Sequence, residues 1–478
     1  MNKIIGRATE IQRLTEYVKS GKAEFLIVYG RRRVGKTFLI KQFFKEKFAF
    51  YMSGAENANR QEQLFNVSTA MQKYSDKDYP KVDNWQKAFV QLENYLGTVK
   101  TKGRKVVFID EIPWLDNQKS GFLSAFEYFW NTYASSKKEI FLVVCGSATS
   151  WLTKKILKDK GGLHGRVTRQ IHLQPFTLKE TERFLKSKQI KLPRLQILEC
   201  YMILGGIPYY LEQLEKQFSL EQNIDNLFFK KDGIFRDEYD KIFQSLFNSP
   251  EKYMTIIDVL SKKRKGMLRE EIVKLSKIPD GGGLTDILED LEQCGFITIN
   301  NNFSTPKSNK LFQLTDFYSL FYTHFVKGKD ITDINFWSNA INTPVRNSWA
   351  GYSFEILCIS HIEQIRRKLG IGGVITYTFS WLNKNNGDDK DSDNVQIDLI
   401  LDRADNVINI CEMKFSRKEY LITKDYDQKM QNKVWTFAEE SKTEKAIHLT
   451  MITTKGVKRN TYWNNLQSEV TLNDLFEI

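Results

Sequence analysis

A glycine-rich segment ending in a lysine and a threonine is the part of the sequence best suited to chemistry. The pattern GxxxxGKT starts at Gly30, ends at Thr37, and lies between an apolar strand at residues 25–29 and a helical pattern. Glycines let backbone N–H groups face phosphates, and a helix N-terminus adds partial positive charge. Lys36 can reach the β- and γ-phosphates, and Thr37 can ligate Mg²⁺. The predicted ATP-binding residues here are Gly30, Arg33, Val34, Gly35, Lys36 and Thr37.

Two carboxylates follow a second apolar strand. Residues 106–109 are all apolar, and Asp110 and Glu111 come directly after them. We predict that Asp110 holds Mg²⁺ through water together with Thr37. Glu111 is predicted to polarise the attacking water, so that the pair indicates hydrolysis rather than binding alone.

The strands that position these residues alternate with helical patterns. Short apolar runs at residues 25–29, 106–109 and 140–145 are separated by amphipathic segments. Such an alternation predicts a parallel sheet covered by helices over residues 1–175.

Several further motifs occur in a fixed order around this site. They are Ile5-Gly6-Arg7, Val143-Val144-Cys145-Gly146-Ser147, Gly165-Arg166 and Gly205-Gly206-Ile207-Pro208. Together they resemble the AAA+/STAND-like archaeal ATPase family over roughly residues 1–325, in which such a module precedes a winged helix.

The resemblance implies roles for residues outside the glycine-rich loop. Gly6, Arg7 and the turn at Pro208 are expected near the adenine, and Ser147 is expected to sense the γ-phosphate. Many AAA+ proteins place asparagine where Ser147 stands. Arg166 is expected to stabilise phosphate charge, in the same subunit or a neighbour; the alternative is a salt-bridged surface arginine.

Length and composition limit the class of protein. A chain of 478 residues predicts about three domains, and 41% hydrophobic with 27% charged residues fits a globular protein. The sequence has no apolar run long enough for a membrane span and no secretory signal at its N-terminus, so a cytoplasmic location is expected. Five widely spaced cysteines without a CxxC predict reduced thiols rather than zinc or disulfides.

The basic surplus lies in one part of the chain. The net charge is +13, and residues 341–478 carry acidic and basic residues in nearly equal number, so the surplus lies before residue 341. A basic balance suits DNA or RNA as partner, although lysine-rich proteins without an anionic partner share it.

The middle of the chain reads as helices followed by a hairpin. Helices are predicted at residues 253–260, 269–275 and 285–294, and strands at 296–299 and 310–314. This order is a winged-helix pattern. The run KKRK at residues 262–265, and Lys307 and Lys310 in an expected wing at residues 300–310, could contact DNA phosphates. The alternatives are a protein-contact module and a solvated basic turn.

The C-terminal part contains a second candidate site. Glu355 lies on an apolar helix predicted over residues 349–369, where a lone carboxylate is costly. Asp398 lies in a strand at residues 395–401, and Glu412 and Lys414 share a face of the next strand. Asp398 and Glu412 could hold Mg²⁺ or Mn²⁺, and the metal with Lys414 could activate water against a phosphodiester.

This constellation resembles the PD-(D/E)xK nuclease superfamily over roughly residues 345–455. The matching residues are Asp398, Glu412 and Lys414, with Glu355 as the acid from the first helix; Ile397 replaces the proline of the nominal motif. A nuclease-like domain of otherwise unknown function also accompanies the archaeal ATPase family. The alternative is a structural Glu412–Lys414 ion pair in a parallel-sheet domain.

The sequence as a whole predicts an α/β protein with a P-loop NTPase parallel sheet, a helical lid, a winged-helix domain and a C-terminal restriction-endonuclease-like α/β domain. The expected domains are residues 1–175, 176–250, 251–335 and 340–478, and residues 383–394 are expected to form an exposed insertion. One reading is an ATP-dependent DNA-acting enzyme. A second is a nucleotide-dependent regulatory switch, with self-assembly into a homo-oligomer left open. A third, a chaperone-like ATPase, leaves the acidic cup unexplained.

Overall fold

The computed structural model describes most of the chain. It covers residues 3–75, 80–117, 119–147, 149–157, 162–163, 165–301, 303, 310–329, 332–382 and 395–477. The expected insertion at residues 383–394, and Lys307 in the expected wing, lie outside the described residues. No helix of the described part is long and apolar enough to cross a membrane.

The N-terminal part is a five-stranded sheet with helices on both faces. Its helices are α1 Ala8–Val18, α2 Lys36–Phe43, α3 Arg60–Ser75, α4 Trp85–Thr98, α5 Phe122–Thr132 and α6 Thr149–Leu152. Its strands are β1 Glu24–Tyr29, β2 Phe50–Ser53, β3 Lys105–Asp110, β4 Ile140–Gly146 and β5 Arg169–His172. The strand order is β2-β3-β4-β1-β5, and every pairing is parallel. The predicted parallel sheet is confirmed.

Alternate residues of β1 supply two hydrophobic cores. Leu26 and Val28 pack in one cluster, and Phe25 and Ile27 pack in the other. Because side chains alternate across a strand, a run of apolar residues is buried on both faces of the sheet. The chain therefore leaves β1 between two packed layers, and the loop that follows is held at the carboxyl edge of the sheet.

The middle of the chain is helical and ends in a hairpin. The first helices are α7 Leu178–Ser187, α8 Arg194–Leu204, α9 Pro208–Glu212, α10 Leu220–Ile224 and α11 Glu238–Leu246. They are followed by α12 Pro250–Ser261, α13 Arg269–Ser276, α14 Gly282–Gln293, β6 Ile297–Asn301 and β7 Lys310–Leu314. Strands β6 and β7 pair antiparallel. This order of three helices and two strands agrees with the prediction, and residues 250–314 are called the helix–hairpin unit below.

The C-terminal part contains a second five-stranded sheet. Its helices are α15 Phe317–Phe325, α16 Phe336–Asn339, α17 Pro344–Ser360, α18 Ile362–Lys368, α19 Lys424–Ser441 and α20 Leu472–Leu475. Its strands are β8 Thr376–Leu382, β9 Gln396–Arg403, β10 Val407–Lys414, β11 Ala446–Thr453 and β12 Ser468–Thr471. Strand β9 is antiparallel to β8 and β10, whereas β10, β11 and β12 are parallel.

The prediction of a single helix over residues 349–369 is wrong. The chain forms two helices there, α17 and α18, with a break at His361. His361 has φ −112° and ψ 32°, outside the helical region. Its buried ring accepts a hydrogen bond from the backbone N–H of Leu178 at 3.1 Å. Burial lowers the pKa of His361 to about 4, so the ring is neutral at physiological pH. A contact across 183 residues therefore holds the His361 side chain at this break.

A charged cluster attaches the C-terminal part to α8. The Glu199 carboxylate on α8 pairs with Arg346 of α17 at 3.4 Å and with Arg417, which follows β10, at 2.9 Å. Arg346 is 3% exposed and also lies over the ring of Trp337. The second sheet is thus held on the helices that follow the first.

Candidate functional sites

The glycine-rich loop connects β1 to α2 in a conformation that its glycines permit. Gly30 has φ +138°, and a Cβ there would lie 2.3 Å from the Leu173 carbonyl oxygen. Gly35 has φ +92° and precedes the first residue of α2, Lys36. The Lys36 ammonium donates to the carbonyls of Gly30 and Arg31, each at 2.9 Å, and burial lowers its pKa. The amine therefore lies inside the loop predicted to hold the phosphates.

The predicted magnesium-binding residues lie together beside this loop. The Thr37 hydroxyl donates to the Asp110 carboxylate at 3.2 Å, which joins the start of α2 to the end of β3. Asp110 is buried, and the same oxygen accepts a hydrogen bond from the Cys145 thiol at 2.5 Å. A hydroxyl and a carboxylate are hard oxygen donors that suit Mg²⁺, so the residues fit the ion. The contact from Cys145 was not predicted.

Glu111 is held by Ser147. The Ser147 hydroxyl donates to one Glu111 oxygen at 2.9 Å, and its backbone N–H donates to the other at 3.0 Å. Glu111 follows β3 in a left-handed conformation with φ +44°, and Ser147 follows β4, which lies between β3 and β1. The predicted water-polarising carboxylate and the predicted sensor are therefore in direct contact.

Arg7 supports the loop from the N-terminal side. Its guanidinium donates to the carbonyl of Val34 at 3.0 Å and lies 4.6 Å from the Phe176 ring. The backbone N–H of Phe176 in turn donates to the Gly206 carbonyl at 2.8 Å. The segment Gly6-Arg7 and the turn leading to Pro208 therefore meet at Phe176, next to the loop. Burial lowers the pKa of Arg7.

Two other arginines of the loop have partners that sequence reasoning missed. Arg33 donates to both oxygens of Glu238 on α11, at 2.9 and 3.0 Å, and lies over the Tyr209 ring. Arg31 forms a buried ion pair with Asp316, the residue that caps α15. The loop is thus tied both to the helices of the middle part and to the end of the hairpin.

The second candidate site is a cavity between the helix–hairpin unit and the C-terminal sheet. Its volume is about 250 Å³, and Glu355, Asp398 and Lys414 line it. Gln396 donates to Asp398 at 2.9 Å, because both lie on one face of β9. Burial raises the pKa of Asp398. Three of the four predicted residues are therefore brought together.

Glu412, the fourth residue, lies next to this cavity rather than in its lining. It is 5% exposed, and its carboxylate accepts from the Tyr426 hydroxyl at 2.8 Å and from the Lys433 ammonium. Lys414 lies 3.9 Å from it. Tyr426 and Lys433, both on α19, were not predicted. The oxygen donors suit Mg²⁺ or Mn²⁺, and a metal on Glu412 has to share its carboxylate with Lys433 and Tyr426. Across the described residues no group of three His, Cys, Asp or Glu side chains is arranged to hold a metal.

A family match covers the first of these sites. The model of an ATPase domain predominantly from Archaea matches residues 4–214, which include the glycine-rich loop, Asp110 and Ser147. Residues 4–214 thus contain an ATPase domain of this archaeal type. ATP binding and an ATPase-type function follow for this part of the chain.

Relatives and a solved structure are similar to the chain over parts of its length. An uncharacterized protein of Methanocaldococcus jannaschii is 26% identical over 257 residues, 54% of this chain and 54% of that protein. An uncharacterized ATP-binding protein of Pyrococcus abyssi is 27% identical over 292 residues, 56% of this chain and 87% of that protein. The chain thus spans about half the length of the first relative. A Walker-type ATPase of Pyrococcus abyssi is 18% identical with a TM-score of 0.48, covering 67% of this chain and 96% of that one.

Arg166 is a predicted site residue of the ATPase domain that the structure does not connect with the other predicted residues. Its side chain is exposed and forms no ion pair or hydrogen bond with any residue in the described ranges. The salt-bridged alternative is therefore not observed there. A role for Arg166 towards a nucleotide, in its own or a neighbouring subunit, stays a prediction.

Replacing Ser147 with alanine is expected to lower the ATP turnover number about tenfold, because a hydrogen bond to a charged group contributes about 1.5 kcal/mol. The KM for ATP is expected to change little, since Ser147 contacts Glu111. Steady-state ATP hydrolysis measures both, with the exposed Ser136→Ala as matched control. A raised KM with an unchanged turnover number would show instead that Ser147 contacts the nucleotide.

Glu355 is expected to make the stability of the protein depend on pH. Burial, and then the Asp398 carboxylate, raise the pKa of Glu355 from the ordinary 4.5 to about 7. Its contribution to stability is therefore fully present below the ordinary pKa and is lost as pH rises through about 7. Between about pH 5 and about pH 8, the free energy of unfolding should fall more in the wild type than in Glu355→Gln. The exposed Glu363→Gln is the control; equal slopes for Glu355→Gln and wild type would contradict the assignment.

Proposed function

We propose that the chain is an AAA+-like ATPase that binds and hydrolyses ATP, and that its nucleotide state is coupled to a C-terminal nuclease-like unit that acts on DNA. The observation that carries the first half is the contact of Thr37 with Asp110 beside Lys36, with Glu111 next to them. Phosphoryl transfer needs positioning and charge stabilisation. The edge of the sheet supplies both through Lys36, Thr37, Asp110, Glu111 and Ser147.

The hydrolysis step assigns a task to each of these residues. Lys36 exchanges its loop carbonyls for the β- and γ-phosphates, and the loop N–H groups hold the same phosphates. Thr37 and Asp110 would hold Mg²⁺, which would neutralise charge on the phosphates. Glu111 orients the attacking water and accepts its proton. Arg166 stabilises the charge on the transferred phosphoryl group.

The helix–hairpin unit supports contact with DNA. Its order of three helices and a hairpin suits a winged helix, and Lys310 at the start of β7 is exposed. Cations on such a unit bind phosphates by releasing counterions. The surplus of +14 before residue 341 favours the same partner, since the whole chain carries +13 and residues 341–478 carry −1. A homo-oligomer would add further copies of this surface.

The C-terminal cavity supports a metal-dependent nuclease. Asp398 and the pair Glu412 and Lys414 lie on adjacent strands, with Glu355 on α17, which packs against β10. Asp398 and Glu412 would hold Mg²⁺ or Mn²⁺, which lowers the pKa of a bound water when present. Lys414 would orient the attacking water towards the phosphodiester.

Metal-dependent loss of linear and supercoiled DNA tests this half of the proposal. Cleavage is expected for the wild type with Mg²⁺ or Mn²⁺ and is expected to be absent in Asp398→Ala. The matched control is Asp402→Asn on the same strand, whose carboxylate pairs with Lys445. Equal cleavage by Asp398→Ala and Asp402→Asn would show that another site, or a contaminant, acts on the DNA.

A second candidate function is a nucleotide-dependent switch in which the C-terminal unit binds without cleaving. The contacts of Lys433 and Tyr426 to Glu412 favour it, because they occupy the oxygens that a metal needs. An ATP-dependent change in molecular mass, with DNA intact, would support the switch.

A further inference from the structure

The cavity beside Asp398 has two walls that come from different parts of the chain. One wall consists of the acidic and basic residues of the C-terminal part, Glu355, Asp398 and Lys414. The other wall comes from the helix–hairpin unit and includes Arg264 and Lys265, in the turn after α12. Part of the basic run at residues 262–265, which was predicted to contact DNA phosphates, therefore lines this cavity.

Contacts on both sides fix the position of this turn. The Arg264 guanidinium donates to the hydroxyl of Ser348 at 2.5 Å, and Ser348 lies on α17. The Arg264 carbonyl accepts from Gln313 of β7 at 3.0 Å, and Gln313 also accepts from Asn300 of β6. The turn is thus braced by the hairpin behind it and by α17 in front of it.

The charges in the cavity face one another without closing into pairs. Lys265 forms no hydrogen bond or ion pair with a described residue, and neither does Glu355. Arg264 uses one nitrogen for Ser348, which leaves guanidinium donors for another acceptor. A cavity with cations on one wall and carboxylates on the other can bind an anionic group next to a metal cation.

We propose that this cavity binds a phosphodiester group of nucleic acid together with a divalent ion, and that Arg264 and Lys265 are its phosphate-binding residues. Asp398 in the cavity and Glu412 next to it would hold the ion, and the two cations from the helix–hairpin unit contact the phosphate oxygens, for which the arginine fork is well shaped. The volume of about 250 Å³ is several times the roughly 30 Å³ share of one water molecule, which leaves room for a phosphate and a hydrated ion.

This inference rests on the proposed nuclease function and adds a condition to it. A site whose phosphate ligands come from the helix–hairpin unit is complete only while that unit is docked on the C-terminal sheet. Specificity for the backbone of the nucleic acid then comes from Arg264 and Lys265, whereas the metal is held by the C-terminal part.

The test compares Lys265→Gln with Lys262→Gln in the full chain. Lys262 is an exposed cation of the same turn that does not line the cavity, so both variants lose one charge from the same loop. Binding of a fluorescent single-stranded oligonucleotide is followed by anisotropy over a range of salt, with Ca²⁺ replacing Mg²⁺ or Mn²⁺. Arg264→Gln is measured as well, and thermal unfolding shows that each variant is folded.

Lys265→Gln is expected to weaken binding about tenfold and to reduce the slope of log K against log salt by about 0.7, the value for one lost phosphate contact on a single strand. Lys262→Gln is expected to change neither by a comparable amount. In cleavage assays the KM for DNA should rise in Lys265→Gln and Arg264→Gln.

Other outcomes distinguish the phosphate-binding role of Arg264 and Lys265 from the proposed nuclease function. Cleavage by the wild type with an unchanged KM in Lys265→Gln and Arg264→Gln would overturn the phosphate-binding assignment and leave the nuclease standing. Equal weakening by Lys262→Gln would overturn it in favour of a diffuse basic surface. A wild type that neither binds nor cleaves would overturn both.

Discussion

Glu111→Gln is expected to lower the ATP turnover number by about 10²–10⁴, the usual contribution of a general base. ATP affinity should be retained, because Lys36, Thr37 and Asp110 are unchanged. The glutamine keeps the shape of the side chain and can still accept a hydrogen bond from Ser147. The difference between binding and turnover therefore isolates the proton-accepting role.

Single-turnover ATP hydrolysis and equilibrium ATP binding measure the two effects separately. Lys36→Ala is the contrasting variant, and it should lose binding as well as turnover. A Glu111→Gln variant that hydrolyses ATP at the wild-type rate would remove Glu111 from the mechanism.

Asp316→Ala is expected to destabilise the protein by about 3–5 kcal/mol, the usual cost of breaking a buried ion pair by removing one partner. Asp316 and Arg31 are both buried, and without Asp316 the guanidinium is left in a desolvated site. Asp316 also accepts from the backbone N–H and hydroxyl of Ser319, so the start of α15 loses its cap.

Denaturant unfolding measures this cost against an exposed pair. Asp237→Ala removes the partner of Lys241, an i,i+4 pair in which both side chains are mostly exposed, and should cost less than about 1 kcal/mol. A comparable loss in both variants would mean that Arg31 is stabilised by other contacts.

The sequence predicts the sites that depend on local pattern. The glycine-rich loop follows β1, Asp110 ends β3 and Ser147 follows β4, and all three strands are apolar. Parallel strands bring their carboxyl ends to one edge of the sheet, so the residues meet without knowledge of distant contacts. The shared face of Glu412 and Lys414 follows from the period of two in the same way.

The partners that were missed are separated by long stretches of chain. Arg33 meets Glu238 across 205 residues, and Arg31 meets Asp316 across 285 residues. Charges are common throughout the sequence, so no local pattern selects one partner from many. The docking of Lys265 against the acidic cavity depends likewise on how two parts of the chain pack.

These missed contacts connect the nucleotide loop with the acidic cavity. Arg31 in the loop pairs with Asp316, which directly follows the hairpin, and Gln313 of that hairpin lines the cavity. The hairpin is thus in contact with both sites. This arrangement supports the proposal that nucleotide state affects the C-terminal unit.

DNA cleavage with and without ATP, in wild type, Lys36→Ala and Asp398→Ala, tests the proposed coupling most directly. Metal-dependent cleavage is expected in the wild type, its rate should change with ATP, and Lys36→Ala should cleave without responding to ATP. Asp398→Ala should hydrolyse ATP and leave DNA intact. ATP turnover with intact DNA under every condition, in the wild type as in Asp398→Ala, would contradict the account and favour the nucleotide-driven switch.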